Sequence, residues 1–207
     1  MLFRSLLALE NTITGRPISR SYLESALSLA RKKRLSTHLD GARVFNAAVH
    51  EKTSVNKLCA GFDSVSSCLS KGLGTPAGTM LLGSKEFLSR AHRARKILGG
   101  GMRQAGVIAA AGLYALEHNV ERLAEDHANA ERLAKGLREA GYDVQGPNTN
   151  MVMVRIAPEK IEALKKHLES QGVKILPRPQ LRLVTHLDVS AAGIDQAVAA
   201  FRAFACS

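Results

Sequence analysis

Residues 63–83 read DSVSSCLSKGLGTPAGTMLLG, and how this stretch divides decides the fold. Residues 62–69 and 77–83 are apolar or β-prone runs bounded by glycine, proline and serine. They read as two strands joined by SKGLGTP. Lys71 sits in that connection between a serine and glycines, so it is positioned by its loop rather than carried on a solvated face. Working upstream, LSTHLD (35–40) is a further strand. SRSYLESALSLARKKR has apolar residues at helical spacing behind a serine cap at Ser19, and LLALEN (6–11) is a short apolar run ending in polar residues. The order strand, helix, strand, strand is that of an α/β sheet built from βαβ units with its polar residues at strand ends.

Downstream, an amphipathic basic helix is expected from Glu86 to about Leu98, where GGGM ends it, since each glycine costs a helix about 1 kcal/mol relative to alanine. The alanine- and leucine-rich segment 103–141 reads as one long helix or as two broken near Asn119, ending at Gly141. NMVMVRI (150–156), PEKIEALKKHLESQG (158–172), VKILP (173–177), LRLVTHLDVS (181–190) and AAGIDQAVAAFRAFA (191–205) then read strand, helix, strand, strand, helix. The chain therefore divides near residue 117 into residues 1–117 and a second α/β unit, 118–207.

A 207-residue chain with 45% hydrophobic residues can bury a substantial core. Its 29 Lys and Arg against 18 Asp and Glu give a net charge of +11, which favours anionic ligands at long range. The basic residues are dispersed apart from RKKR (31–34), and with no tryptophan and few aromatics a base-stacking platform is hard to assemble, so no nucleic-acid partner is expected. Cys59, Cys68 and Cys206 lack both CxxC spacing and the even count of a disulfide framework, and read as reduced thiols. No histidine pair has metal-ligand spacing, so no metal is expected. No apolar run is long enough to span a membrane, and the opening residues are too short for a secretion signal. The expectation is a soluble cytoplasmic protein, with a mitochondrial location as the alternative because the first residues are basic and acid-poor.

The chemistry is expected where strands end, because open α/β sheets bind ligands outside the carboxyl ends of their strands. In HLDGARVFNAA (38–48), Asp40 closes a strand ahead of Gly41 and Arg43. One reading makes Asp40 a helix cap paired with Arg43. The other combines it with Lys71, which also follows an apolar strand. A lysine amine that can condense with an aldehyde and a carboxylate that can face a pyridine nitrogen are what pyridoxal 5′-phosphate requires. Gly72, Gly74 and Gly78 would then admit the cofactor close to the backbone.

Seven stretches carry more than spacing: ENT (10–12), HLDGARVFNAA (38–48), SKGLGTPAGTMLLG (70–83), RARKILGGGMRQAG (93–106), EDHANAERLA (125–134), TNM (149–151) and LRLVTHLDVS (181–190). Together, in order and through nearly the whole chain, they resemble the low-specificity L-threonine aldolases. The resemblance implies an α/β fold: the C-terminal part of the large domain of a fold-type-I, aspartate-aminotransferase-like pyridoxal-phosphate enzyme, followed by a small C-terminal α/β domain. It implies Lys71 as the lysine that binds the cofactor aldehyde, Asp40 as the carboxylate under the pyridine nitrogen and Arg43 as the arginine at the ring hydroxyl. Arg182 is similar to the arginine that holds the substrate's α-carboxylate, a task suited to a planar fork. Lys96 and Arg103 resemble a basic pair that a neighbouring subunit brings to the cofactor phosphate, so a homo-oligomer, dimer or tetramer, with a shared site is implied. The implied reaction is cleavage of L-threonine or L-allo-threonine to glycine and acetaldehyde.

Two departures accompany the resemblance. The family carries a further N-terminal third, with a Gly/Thr-rich loop for the cofactor phosphate and a histidine that stacks on the ring, whereas this sequence starts just before LALENT. Family members also have a histidine after ENT, where this chain has Ile13, and an isoleucine cannot transfer a proton. These departures keep open a catalytically silent relative that acts as an interaction or regulatory subunit. His38 and His186 are the nearby imidazoles, and each reads as a hydrogen-bonded strand residue. His92, His118, His127 and His167 read as solvated or capping residues on helices.

Overall fold

Glu10, Asp40 and Cys68 end three parallel strands, and the sheet they belong to is what positions every polar residue of interest in the first half of the chain. The computed structural model describes residues 5–206. It divides into two compact units, Met1–Arg122 and Leu123–Ser207.

In the first unit, β1 (Leu6–Glu10), β2 (Ser36–Asp40) and β3 (Ser64–Cys68) lie side by side in parallel, and β4 (Thr79–Gly83) closes the order β1-β2-β3-β4 antiparallel to β3. Helix α1 (Arg20–Lys32) forms the crossover from β1 to β2. Ser19 caps it by accepting from the Tyr22 amide, and Arg31 and Lys32 in its last turn complement the negative end of the helix dipole. Two short helices, α2 (Val44–His50) and α3 (Val55–Cys59), connect β2 to β3. Neither was anticipated from the sequence, because five to seven residues are too few to establish a 3.6-residue period.

The faces of the sheet differ in chemistry because side chains alternate along a strand. Leu39 and Val65 are buried with Val44, Ala47, Ala48 and Leu58 of α2 and α3, so one face carries the core. His38 and Asp40 of β2 point to the other face, beside their register partners Ser64 and Ser66 of β3. Beyond β4 come α4 (Lys85–Ile97), capped by Ser84, and α5 (Gly106–His118), separated by the glycine-rich stretch 99–101 as expected. The glycines fit because the stems of Arg95 and Lys96 fold back over them. A Cβ on Gly100 would meet Arg95 Cγ at 2.8 Å, and one on Gly101 would meet Lys96 Cδ at 2.8 Å.

The second unit packs α6 (Leu123–Glu139), α7 (Ile161–Ser170) and α8 (Ala191–Ala205) with a three-stranded antiparallel sheet, β5 (Asp143–Asn148), β6 (Met151–Arg155) and β7 (Gln180–Val184), in the order β5-β6-β7. Its core contains Leu133, Leu137, Val152, Val154, Leu164, Leu168, Leu181 and Phe201, each worth roughly 1.5–3 kcal/mol when fully buried. Two expectations differ here. VKILP is not a strand, since residues 173–178 have no regular structure although Val173 and Ile175 pack on the core. The strand β5 was missed because DVQGPN interrupts its alternation with Gly146 and Pro147, where the pairing register shifts. Among the described residues, no helix is long and apolar enough to cross a membrane.

Candidate functional site

Three parallel strands deliver three polar segments to one edge of the first sheet. Register fixes the arrangement: Glu10 is opposite Asp40, and Asp40 is opposite Ser66. Past these pairs, the Asn11 amide donates to the Asp40 carbonyl at 2.8 Å and the Gly41 amide donates to the Ser66 carbonyl at 2.7 Å. Parallel pairing thus continues one residue beyond each strand and locks the carboxyl ends of β1, β2 and β3 together.

Asp40 is exposed on this edge, and its Oδ1 accepts from the Ala42 amide at 3.1 Å. It is not the cap residue of α2. That position belongs to Arg43, whose side chain makes no capping hydrogen bond and which is half-buried. Gly41 lets the chain leave β2 closely packed on its neighbour, because an added Cβ would stand 2.9 Å from the Ser66 carbonyl oxygen.

Lys71 lies three residues past the end of β3, at the same edge, in a loop held from several directions. The Leu69 amide donates to the Gly78 carbonyl at 3.0 Å, the Thr75 amide to the Leu69 carbonyl at 3.2 Å, and the Gly74 amide to the Lys71 carbonyl at 2.9 Å. Asn119, just past α5, donates from Nδ2 to the Leu73 carbonyl at 2.8 Å. Leu69 and Leu73 are buried on either side, and Lys71 itself is half-buried. Two glycines of this loop also meet a demand of the backbone itself. Gly74 and Gly78 adopt φ of 75° and 124°, a region that side chains avoid, and Gly78 faces Ile108 and Leu69.

The structure brings Asp40, Arg43 and Lys71 to one sheet edge. Lys96 lies in the last turn of α4 and Arg103 follows the glycine stretch, both exposed and on the far side of β4 in sequence. Arg182 is an exposed residue of β7 in the second unit. His186, on the same segment, approaches Asp188 with Nδ1 at 3.2 Å from a carboxylate oxygen. His38 lies on the polar sheet face with Nδ1 2.8 Å from Ser64 Oγ.

Asn11 and Thr12 went unremarked by sequence reasoning beyond their place in ENT. Both are buried, and neither Asn11 Nδ2 nor Thr12 Oγ1 has a hydrogen-bond partner among the described residues. Buried polar atoms are almost always satisfied, so two such atoms on successive residues just past a strand end mark a place where a polar ligand would be stabilised. Among the described residues, no group of three His, Cys, Asp or Glu side chains is placed to hold a metal ion.

Residues 4–159 match the beta-eliminating lyases. The chain belongs to the beta-eliminating lyase family. Within that family it is 49% identical over 199 residues to the low specificity L-threonine aldolase of Escherichia coli O157:H7, covering 96% of this chain and 60% of that one. It is 37% identical over 211 residues to low-specificity L-threonine aldolase 1 of Arabidopsis thaliana, covering 95% and 58%. The chain thus spans about 60% of the length of the curated relatives it matches. Among solved structures, threonine aldolase of Leishmania major superposes with a TM-score of 0.80 at 16% identity, over 99% of this chain and 62% of that one. The family's fold is therefore present: the α/β fold of fold type I, here from β1 of the larger sheet through the small antiparallel unit.

Proposed function

We propose that this chain is a pyridoxal-phosphate-dependent lyase that cleaves the Cα–Cβ bond of L-threonine and L-allo-threonine to give glycine and acetaldehyde. The observation that carries this reading is the pairing of Asp40 and Lys71 at the carboxyl ends of adjacent parallel strands, in a chain half identical to a bacterial relative of that activity. When bound, pyridoxal phosphate supplies an aldehyde for an amine and a ring that draws electrons away from a substrate carbon.

The residues present fit such a group in kind. Lys71 Nζ would hold the aldehyde, and its pinned loop fixes where that amine is offered. The Asp40 carboxylate would face the pyridine nitrogen and hold a proton there, as a nearby negative charge favours a cation. Arg43 would reach the ring hydroxyl. The unpartnered donors of Asn11 and Thr12 at the same edge fit a ligand rich in acceptor oxygens. Arg182 offers a bidentate fork for the substrate's α-carboxylate. Ile13, half exposed just past Thr12, contributes no proton acceptor for the substrate's β-hydroxyl.

A homo-oligomer, dimer or tetramer, belongs to the same reading, with Lys96 and Arg103 of a second copy at the cofactor phosphate. Support comes from the surface around them. Helix α5 is apolar nearly throughout, yet Val107, Leu113 and Tyr114 are exposed, as are Ile97, Leu98 and Met102 before it. Exposed apolar side chains recurring through this segment favour contact with another protein. The reading further assigns the chain to glycine-forming threonine catabolism in the cytoplasm.

The test is threonine-dependent release of acetaldehyde by the purified chain supplied with pyridoxal phosphate. Release that disappears in Lys71→Ala supports the proposal. Release that persists unchanged in Lys71→Ala contradicts it.

A further inference from the structure

On the core face of the first sheet, β3 and β4 on one side and α2 and α3 on the other bound a cavity of about 180 Å³. Strand register explains its floor. Val65 and Ser67 alternate onto the same face of β3, and their partners across the antiparallel pair, Leu82 and Met80, line the cavity with them. Phe45 of α2 and Cys59 of α3 belong to the opposite wall. Leu39 and Val65 mark this as the core side of the sheet, whereas Asp40 alternates to the other side.

Ser67 conflicts with this setting. It is 3% exposed, and its Oγ has no hydrogen-bond partner among the described residues. A buried hydroxyl left unmatched destabilises the fold until a polar group meets it. Water is a poor match, since a buried water is held by about two to four polar partners and Phe45, Phe62, Val65, Met80 and Leu82 around it are apolar. Ser64 also reaches the lining, but its hydroxyl faces His38 on the other side of the sheet. Burial pushes the Cys59 thiol up, so it stays protonated and brings no charge. Asp63, exposed, is the one charged residue in the lining, and its Oδ2 accepts from both the amide and the hydroxyl of Thr37. That carboxylate disfavours an anion, and the apolar wall penalises an ion of either sign. A neutral molecule with one hydroxyl is the match that remains.

Size narrows the choice further. A cavity of about 150 Å³ walled by aliphatic and aromatic side chains holds one benzene ring, so this one admits a single ring with a small substituent. Phe45 and Phe62 offer such a ring aromatic contacts, and the Met80 thioether offers it a sulfur contact. We propose that this cavity is a binding site for a neutral single-ring alcohol or phenol, with the ring among Phe45, Phe62 and Met80 and its hydroxyl on Ser67 Oγ. The site needs no cofactor, and it stands whether or not the chain cleaves threonine.

Two measurements test it. The first is calorimetric titration of the purified chain with phenol and with toluene, which has the same shape but no hydroxyl, in wild type and in Ser67→Ala. Both ligands should bind saturably to wild type, one molecule per chain. The ratio of the toluene to the phenol dissociation constant should be about two- to tenfold larger in wild type than in Ser67→Ala, the worth of one hydrogen bond. Absence of saturable binding, or equal ratios in the two proteins, would overturn the inference. Lys71→Ala should bind phenol as wild type does, and loss of binding there would overturn it too, by placing the ligand at the edge that holds Asp40. The second measurement needs no variant: alkylation of the thiols by iodoacetamide, mapped by mass spectrometry. Saturating phenol should slow modification of Cys59 several-fold and leave Cys68, which alternates to the other face of β3, unchanged. No slowing at Cys59, or equal slowing at both, would overturn the location.

Discussion

Replacing Gly41 by alanine probes the closest backbone approach at the candidate site. The added methyl group would stand 2.9 Å from the carbonyl oxygen of Ser66 and 3.1 Å from Cβ of Val44. Neither obstacle is the free end of a flexible side chain: the first is main chain in the centre of the sheet and the second is a buried, β-branched residue at the start of α2. Relief therefore requires moving the end of β2 away from β3, which stretches the 2.7 Å bond from the Gly41 amide to that same carbonyl. Overpacking of this type costs about 1–3 kcal/mol. Weakening the bond adds about 0.5–1.5 kcal/mol. A combined loss of about 1.5–4.5 kcal/mol lowers the melting temperature of a chain this size by roughly 3–18 °C, at about 2–4 °C per kcal/mol. Thermal melting followed by far-ultraviolet circular dichroism measures this directly. Because Asp40 immediately precedes the displaced residue, binding of pyridoxal phosphate should weaken as well. A Gly41→Ala protein that melts within a degree of wild type would refute the argument, since the strand end would then have room that the geometry denies.

Ile13→His should raise threonine cleavage at least about tenfold, since a positioned acid or base contributes on the order of 100-fold or more and a newly introduced one captures only part of that. Unchanged turnover, measured as acetaldehyde release, would mean that residue 13 does not face the substrate hydroxyl. In the second unit, burial and then the nearby Cys206 thiolate push Tyr142 up to about 12. The folded chain thus holds this proton between pH 10 and 12 while the unfolded chain releases it. Its contribution is complete below pH 10 and is lost as the pH rises towards 12. Tyr142→Phe should flatten the fall of the urea midpoint over that window, while lowering the midpoint at neutral pH through loss of the 2.9 Å bond from Tyr142 Oη to the Phe201 carbonyl, worth about 0.5–1.5 kcal/mol. An alkaline slope identical to wild type would contradict the burial argument.

Much of this molecule is legible in its sequence because local signals and tertiary demands agree. Ser19 caps α1, the short strands ending at Glu10, Asp40 and Cys68 are each followed by polar or glycine-containing segments, and the glycines at 99–101 end α4. Where the signals conflict, the reading fails. VKILP has the composition of a strand, but Val173 and Ile175 satisfy their hydrophobicity by packing on the small core without entering a sheet. DVQGPN has the composition of a turn, but β6 imposes pairing on it. At the site, Asp40 and Lys71 were singled out by residue type and by their places at or just after strand ends, and Arg43 through the family resemblance. Asn11 and Thr12 were not, because what distinguishes them is a buried side-chain atom without a partner, Asn11 Nδ2 and Thr12 Oγ1, which appears only once the chain is folded. Gly74 and Gly78 carry a second signal that sequence reading did not extract: the positive φ that this loop requires.

The central claim is that Lys71 is the amine that holds pyridoxal phosphate, with Asp40 beneath the ring. It is tested most directly by adding the cofactor to the purified protein, recording the visible absorption, reducing with borohydride and mapping the modified residue by mass spectrometry. The account predicts a visible absorption band and a reduced adduct confined to Lys71 and absent from Lys71→Ala, with a band altered in Asp40→Asn. A protein that stays colourless, or whose adducts are scattered over exposed lysines and unaffected by Lys71→Ala, would contradict it.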